Sequence, residues 1–260
     1  MRHLFYLCLL SHSLLLVSFH STAVSLSAEQ AFVADLTRQI TADELVEVPL
    51  QQQSFLLLRR EAMTSYTKGT AILLPDGSEH AASPKHIDTL RQQLNDYGWH
   101  TLAMMPPAMP EDIAADDVLA DYQQQLITRL NAAQQLAQQN PGVTIIIAQG
   151  SSAALLNQLY ASQQLTEPAA FIMLGAYLSD TALNRQIAKA LATHQVPTLD
   201  ISHQQDNNQV LSQLRLRRQL VNKHMKPVYR QRYLSGSGYN TDVQQWVVQE
   251  IYGWLTSVGL

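Results

Sequence analysis

Short apolar runs alternate with amphipathic stretches along most of the chain. Runs of four to seven β-branched or leucine-rich residues favour strands buried in a sheet. They lie at 45–50, 54–60, 70–74, 99–105, 143–148, 171–174, 196–201 and 228–234. Apolar residues recur at helical spacing in the segments 28–41, 84–96, 118–138, 153–163, 181–193, 208–222 and 241–256. The pattern therefore predicts strands and helices in regular alternation from residue 70 onward.

This alternation predicts an α/β fold with a doubly wound, mostly parallel sheet that helices cover on both faces. The first two strands are separated by three residues only, 51–53, so they are predicted to pair antiparallel at one edge of the sheet. No repeat or change of composition divides 45–260, which predicts a single domain without a separate lid. Residues 26–44 are expected to form a helical lead-in to that domain.

The first 25 residues have the pattern of a secretory signal peptide. Arg2 and His3 precede a mostly apolar stretch, 4–17, and small residues dominate 18–27. A signal peptidase would cut after Ala23 or Ser25. The apolar stretch is short and interrupted for a membrane span, with an uncleaved anchor as the alternative. We expect a periplasmic or secreted protein whose mature form lacks the only cysteine, Cys8.

Composition narrows the classes of partner and cofactor. Hydrophobic residues make up 46% of the chain, enough for a full core, while the net charge is −4 without a run of like charges. Nucleic acid, which needs a clustered basic face, is therefore not an expected partner. The chain lacks a glycine-rich phosphate loop and a His or Cys pair with metal-ligand spacing, so no cofactor and no metal are expected.

Two features of the predicted helices near the C-terminus have ordinary structural interpretations. Arg217 and Arg218, with Arg215 nearby, predict a small basic helix face. Solvated surface is the simplest interpretation, and contact with anionic headgroups is the alternative. Trp246 and Trp254 lie on the last helix, where core packing explains them better than ligand binding.

The strongest local feature is a tight turn from the buried strand 143–148 into a helix, through Gln149-Gly150-Ser151-Ser152-Ala153-Ala154. Small neighbours allow a sharp bend, and the helix N-terminus supplies free N–H groups. The turn resembles the nucleophile elbow of the α/β-hydrolase superfamily. Later segments resemble, more specifically, the domain of unknown function 3530 family of bacterial proteins: 196–200 (VPTLD), 217–218 (RR), 229–231 (YRQ) and 253–255 (GWL). The resemblance covers about residues 45 to 257 and implies the hydrolase fold.

The resemblance implies a serine nucleophile at the elbow, then an acid, then a histidine, in that chain order. If the strand ends at Ala148, the nucleophile position is Gly150, which has no side chain. A frame two residues later places Ser152 there and extends the strand through Gly150. The first frame is favoured because the apolar run ends at Ala148 and Gln149 is polar.

The acid and base positions are also unusual. Asp206 follows the strand 196–201 and is either the acid or an ordinary helix N-cap. Tyr239, within Gly236-Ser237-Gly238-Tyr239-Asn240, stands where the superfamily often carries histidine, and tyrosine is a poor base at neutral pH. His203 and His80 follow strands at the same edge, so His203 is a substitute base for Ser151 or Ser152. Both histidines are otherwise ordinary loop residues.

Two functional hypotheses follow. In the first, the protein keeps the hydrolase fold, has an incomplete triad and serves a non-catalytic binding or scaffolding role in the cell envelope. In the second, it is an esterase-like serine hydrolase that uses Ser152 or Ser151 with His203 and Asp206. An acyl or ester compound is the small-molecule ligand expected in either case, and an envelope component the expected partner. The predicted binding residues are Gln149, Gly150, Tyr239, Asp76, Gly77 and His80.

The Asp76-Gly77 turn stands where related enzymes place their oxyanion-hole loop. Gly77 offers a backbone N–H there, whereas the Asp76 carboxylate would oppose a developing anion if it pointed inward. An Asp-Gly turn also needs no function at all.

Overall fold

A computed structural model of the chain describes residues 27–51 and 53–260, and the predicted signal segment 1–25 lies outside them. One eight-stranded sheet has the order β1-β2-β4-β3-β5-β6-β7-β8. The strands are β1 Leu45–Pro49, β2 Ser54–Arg60, β3 Gly69–Leu74, β4 Trp99–Met104, β5 Val143–Gln149, β6 Ala170–Leu174, β7 Thr198–His203 and β8 Tyr229–Leu234. The helices are α1 Ala28–Gln39, α2 Ile87–Gln93, α3 Asp116–Ala137, α4 Gly150–Ala161, α5 Thr181–Thr193, α6 Asn208–Leu211, α7 Leu214–Lys223 and α8 Thr241–Ser257.

The six strands from β4 to β8 in sheet order are parallel, and β2 is antiparallel to both of its neighbours. The predicted doubly wound sheet with an antiparallel edge is therefore confirmed. Strands β3, β5 and β6 lie in the middle, and nearly all their residues are buried because helices cover both faces. All six parallel strands end at one side of the sheet, hereafter the carboxyl edge.

Two apolar cores flank the sheet. One packs side chains of α3, α4, α5 and α7 against one face, around Leu126, Leu155 and Ile187. The other packs α2 and α8, with Leu36 of α1, against the opposite face. Within the described residues no helix is both long enough and apolar enough to span a membrane.

Several element boundaries differ from the sequence prediction, among them the following. The segment predicted as helix from residue 84 begins only at Ile87, with a 3₁₀ turn at Leu94–Tyr97 after α2. Strand β7 ends at His203 rather than residue 201, so His203 belongs to the strand. Helix α4 begins at Gly150, directly after β5. The predicted helix 208–222 is two helices, α6 and α7.

The predicted basic helix face contained Arg215, Arg217 and Arg218, and the prediction is wrong for Arg217. Arg217 is fully buried and donates to the buried Asp200 carboxylate, with Nη1–Oδ1 and Nη1–Oδ2 distances of 3.1 and 3.4 Å. The Tyr229 hydroxyl and the Gln231 amide also donate to Asp200. Three motifs of the family resemblance (VPTLD, RR and YRQ) thus supply one buried network that joins β7, α7 and β8.

The two tryptophans of α8 have different environments. Trp254 is buried in the core, as expected. Trp246 is 45% exposed, so the prediction of core packing is wrong for this residue. It lies eight positions earlier on the helix, about 80° away around the helix axis.

Candidate functional site

The bend between β5 and α4 falls at Gly150. Strand β5 runs through Gln149, and Gly150 is the first helical residue with φ of 57°. A positive φ is readily adopted only by glycine. The position of the bend agrees with the first of the two sequence frames, in which Gly150 takes the nucleophile position.

The carboxylate of Asp76 occupies the space beside Gly150 where a nucleophile side chain would begin. A Cβ atom added to Gly150 would lie 1.8 Å from Asp76 Oδ2. That same oxygen accepts the backbone N–H of Ser151 at 2.8 Å. The other oxygen accepts the N–H of Ser78 at 3.1 Å and its hydroxyl at 2.8 Å. Asp76 therefore points inward and is held there by three hydrogen bonds.

The two backbone N–H groups placed to form an oxyanion hole are both occupied within the chain. In the hydrolase fold these donors come from the residue after the nucleophile and from the loop after β3. Here the first is Ser151 N–H, which Asp76 binds, and the second is Gly77 N–H, which donates to Ser151 Oγ at 3.0 Å. A Cβ on Gly77 would lie 2.3 Å from Met109 Cε, so Met109 covers the turn closely.

The two serines of the elbow do not contact a base. Ser151 is 8% exposed, and its hydroxyl accepts the Gly77 N–H. Ser152 is fully buried in α4, and its hydroxyl has no hydrogen-bond partner among the described residues. Neither hydroxyl hydrogen-bonds to His203 within the described part of the chain.

Asp206 and His203 lie together at the end of β7. The carboxylate accepts the His203 backbone N–H at 2.7 Å, and His203 Nδ1 is 3.6 Å from the same oxygen. Lys85 Nζ is 3.3 Å from the other oxygen. Burial would raise the pKa of Asp206, but His203 and the Lys85 ammonium outweigh burial and lower it to about 2. The N-cap interpretation of Asp206 is wrong, because Asn207 caps α6.

Sequence reasoning missed two residues, Lys85 and His86, that fill the space near the expected base. A Cβ on Gly238 would lie 2.5 Å from His86 Nε2, and the His86 ring stacks on the His203 ring with centroids 4.8 Å apart. Both rings are buried, and no ring nitrogen has a hydrogen-bond partner among the described residues. Burial, with His203 next in effect, lowers the pKa of His86 to about 3.

The remaining predicted residues lie around this centre. Tyr239 is 61% exposed, with its ring 5.9 Å from Lys85 Nζ. His80 accepts the Ala82 N–H through Nδ1 at 3.2 Å and packs against Phe32 of α1, and burial lowers its pKa. Gln149 donates to Glu79 at 2.7 Å. Among described residues, no cluster of His, Cys, Asp or Glu is arranged to hold a metal ion.

The residues around Asp76 and Gly150 and the residues around Asp206 and His203 lie at the same carboxyl edge. The loop after β6 lies between them: Tyr177 N–H donates to the Gly150 carbonyl at 3.3 Å, and a Cβ on Gly175 would lie 3.2 Å from Asp206 Oδ2. Gln205 N–H donates to the Gly236 carbonyl, which joins the loops after β7 and β8.

A cavity of about 270 Å³ opens beside the Asp76-Gly77 turn. Its lining is mostly apolar and comes from three segments, the N-terminal half of α1, the turn after β3 and the loop after β4. The lining residues are Ala28, Glu29, Phe32, Gly77, Ser78, Glu79, Met105, Pro106, Pro107, Ala108 and Met109. A neutral or apolar group therefore fits this cavity better than an anion, because the Glu79 carboxylate belongs to a residue of its mostly apolar lining.

Sheet order, elbow and loop placement define the α/β-hydrolase fold, and solved structures bear this out. Est1E from Butyrivibrio proteoclasticus is 9% identical with a TM-score of 0.63, and the match covers 83% of this chain and 98% of that one. The esterase domain of a Rhodothermus marinus protein is 12% identical with a TM-score of 0.58, covering 83% and 99%. A dienelactone hydrolase from Anabaena variabilis is 14% identical with a TM-score of 0.55, covering 82% and 96%. Such low identities show the fold alone.

The chain belongs to the family described as "Protein of unknown function (DUF3530)". The family profile matches residues 20–117 and 109–257, which together span most of the chain. No curated protein matches its sequence significantly.

Proposed function

We propose that this protein is a non-hydrolytic member of the α/β-hydrolase fold, exported to the bacterial envelope, where its carboxyl edge binds a small acyl or ester compound. The observation that carries the proposal is the Asp76 carboxylate beside Gly150, 1.8 Å from where a Cβ would stand. Nucleophilic catalysis needs a reactive side chain at the elbow and an adjacent base. Neither position supplies one here.

Asp76 opposes hydrolysis for a second, electrostatic reason. Acyl transfer through a tetrahedral intermediate places negative charge in the oxyanion hole, and each lost donor costs about 10²-fold or more in rate. The Ser151 N–H already faces a carboxylate, and Gly77 N–H already faces a hydroxyl. An oxyanion would have to displace the first of these contacts and sit beside a like charge.

The alternative, a serine hydrolase with His203 as base, has one supporting feature. Ser151 Oγ lies beside Gly77 N–H at the same edge as His203 and Asp206. Hydrolysis by this route requires His203 to reach a serine hydroxyl, and its ring is instead stacked on His86.

A fluorophosphonate probe separates the two hypotheses, because it reacts only with activated serines. We expect no labelling of the folded chain, and none of Ser151→Ala or Ser152→Ala. Stoichiometric labelling that one of these substitutions abolishes would overturn the proposal. Phe32→Ala provides a comparison, since opening the cavity without touching either serine should also give no labelling.

Ligand binding is tested with a matched pair of compounds and a matched pair of variants. The cavity is small and Glu79 is part of its lining, so a short-chain ethyl ester should raise the melting temperature more than the corresponding free acid. Ala108→Phe, which adds a large side chain to the cavity lining, should abolish the shift, whereas Ala120→Phe on the exposed face of α3 should leave it unchanged. Equal shifts in both variants would place the ligand elsewhere.

Export is tested separately from binding. The N-terminal residues 1–25 carry the signal pattern, and Ser27 begins a capping box with Gln30 at the start of α1. Expression of the full chain in a bacterium should yield a mature N-terminus at Val24 or Leu26 in the periplasmic fraction. An intact N-terminus retained in the cytoplasm would overturn export while leaving the binding proposal untouched.

A further inference from the structure

The outer surfaces of α5 and α7 form a basic face. Five exposed side chains carry it: Arg185, Lys189, Arg215, Arg218 and Lys223. No aspartate or glutamate occurs within either helix. None of the five makes a salt bridge to another described residue. None of these five charges is therefore paired with a carboxylate of the described residues, although the whole chain has a net charge of −4.

The acids nearest to the two helices in sequence are Asp180, Asp200 and Asp206, and none of them forms a salt bridge with the basic face. Asp180 is the N-cap of α5 and accepts the Leu183 N–H at 2.8 Å. Asp200, on β7 between the two helices in sequence, is fully buried against Arg217. Asp206 faces the carboxyl edge and binds Lys85. From Asn207 to Thr241 the chain has no acidic residue. The positive charge of α7 therefore belongs to a segment of 35 residues without a carboxylate side chain, and not only to the pair Arg217 and Arg218.

Helices α5 and α7 pack directly against each other, and the five cations are exposed on this adjacent pair. Both pack on the same core, with Ile187 of α5 and Val221 of α7 buried in it. At their C-terminal ends Lys226, which is buried, lies 3.2 Å from His194 Nδ1 and also donates to the His194 carbonyl. This contact ties the residues that follow α5 and α7 to each other.

An exposed thioether stands at one end of the basic face. Met225 lies two residues after the end of α7 and is 84% exposed, with φ of 51°. That backbone conformation costs a residue with a Cβ about 1 kcal/mol or more, and glycine is the usual residue there. This exposed methionine, two residues after Lys223, adds an apolar group to the end of the positively charged face.

From this face we infer that the protein docks on an anionic phospholipid surface through α5 and α7. Lipid headgroups supply a plane of negative charge that complements two adjacent helices, and the Met225 side chain enters the interface between headgroups and acyl chains. Single-stranded nucleic acid fits less well, because it needs aromatic stacking groups and neither helix contains an aromatic residue.

Vesicle flotation with the purified chain tests the inference. We expect binding to vesicles of equal parts phosphatidylglycerol and phosphatidylcholine, weakened by added salt, and no binding to pure phosphatidylcholine. Lys189→Gln with Arg218→Gln should lower the affinity about 30-fold, since each basic residue near such a surface contributes about fivefold. The matched control Arg38→Gln with Arg59→Gln removes the same charge from exposed positions elsewhere and should retain full binding.

Met225→Ser keeps every charge and should weaken flotation about fivefold, as partial burial of one methionine side chain predicts. Equal losses in the two double variants would show that net charge alone attracts the protein, which overturns the docking face. Binding to neutral vesicles overturns the electrostatic basis. Retention on immobilised heparin or an acidic protein, without flotation on anionic vesicles, overturns the lipid assignment.

Discussion

Asp76, in the turn after β3, and Gly150, the first residue of α4, meet so closely that a single added carbon on Gly150 would overlap the carboxylate, at 1.8 Å. Gly150 stands at the nucleophile position, and Asp76 binds the Ser151 N–H of the oxyanion hole. The absence of a nucleophile and the occupied oxyanion hole therefore arise from one contact. Glycine satisfies two demands at once, the positive φ of the elbow and the absence of a side chain in front of Asp76. The change in stability caused by replacing one of these residues should therefore depend on which residue occupies the other position.

Gly150→Ser should destabilise the fold by roughly 2–5 kcal/mol, from backbone strain and overpacking together. Asp76→Gly alone should cost roughly 1–3 kcal/mol, because the buried Ser151 N–H loses its acceptor. The double variant should cost clearly less than the sum, since the new hydroxyl occupies the vacated space. Chemical denaturation of the four proteins gives the coupling, and additive effects would place Asp76 away from the elbow. Asp76→Ala is less suitable, because its Cβ would remain 3.1 Å from the new side chain.

The buried pair Asp200 and Arg217 gives a second prediction. Removing one partner of a buried ion pair leaves an uncompensated charge and typically costs about 3–5 kcal/mol. Arg217→Met should therefore lower the free energy of unfolding by that amount, measured by urea denaturation. Arg218→Met, one residue further along the same helix but exposed, should change it by less than about 0.5 kcal/mol. Equal effects of the two substitutions would contradict the buried network.

The same two residues show how far sequence alone reaches. Strand β5 and helix α5 are predictable because their apolar periodicity is regular and their ends carry turn residues. The inward turn of Arg217 was also available from spacing, since Leu214, Arg217 and Val221 share one helical stripe and Asp200 interrupts an apolar strand. The sequence interpretation placed Arg217 on the surface because arginine is charged, and gave too little weight to its position in the apolar stripe.

Other parts of the site could not be predicted from pattern. Whether Asp76 points inward depends on contacts with Ser151 and Ser78, which only the folded chain brings together. The role of His86 could not be predicted because the helix was expected to begin at residue 84. In the structure His86 precedes the helix, with φ of −150°. Side-chain direction at loop ends follows from tertiary contacts and leaves little periodic signal.

Met225 provides a prediction on stability that is independent of docking. Because its φ is 51°, Met225→Gly should raise the free energy of unfolding by about 1 kcal/mol. Met225→Ala retains the Cβ and should give no such gain. Thermal and urea unfolding of the three proteins measure the difference. A loss of stability in the glycine variant would mean that the side chain contributes packing that its 84% exposure does not suggest.

Two buried histidines predict the behaviour of the protein in mild acid. Burial lowers the pKa of both His86 and His194 from 6.5 to about 3. Below pH 6.5 the unfolded chain therefore binds protons at these positions while the folded chain does not. Stability should fall as the pH drops from about 6.5 toward 4.5, by about 2 kcal/mol for each histidine.

The acidic groups do not obscure this window. The pKa of Asp206 is about 2 in the folded chain against an ordinary value of 3.8, so its stabilising contribution is present above pH 3.8 and is lost only as the pH falls from there toward 2. Urea denaturation between pH 7 and 4.5 therefore reports mainly on histidine. His86→Gln should remove about half of the pH dependence, whereas His224→Gln, at an exposed position after α7, should leave the slope unchanged. If stability stays flat over this range, both His86 and His194 accept a proton in the folded state, which would contradict the burial of the two rings.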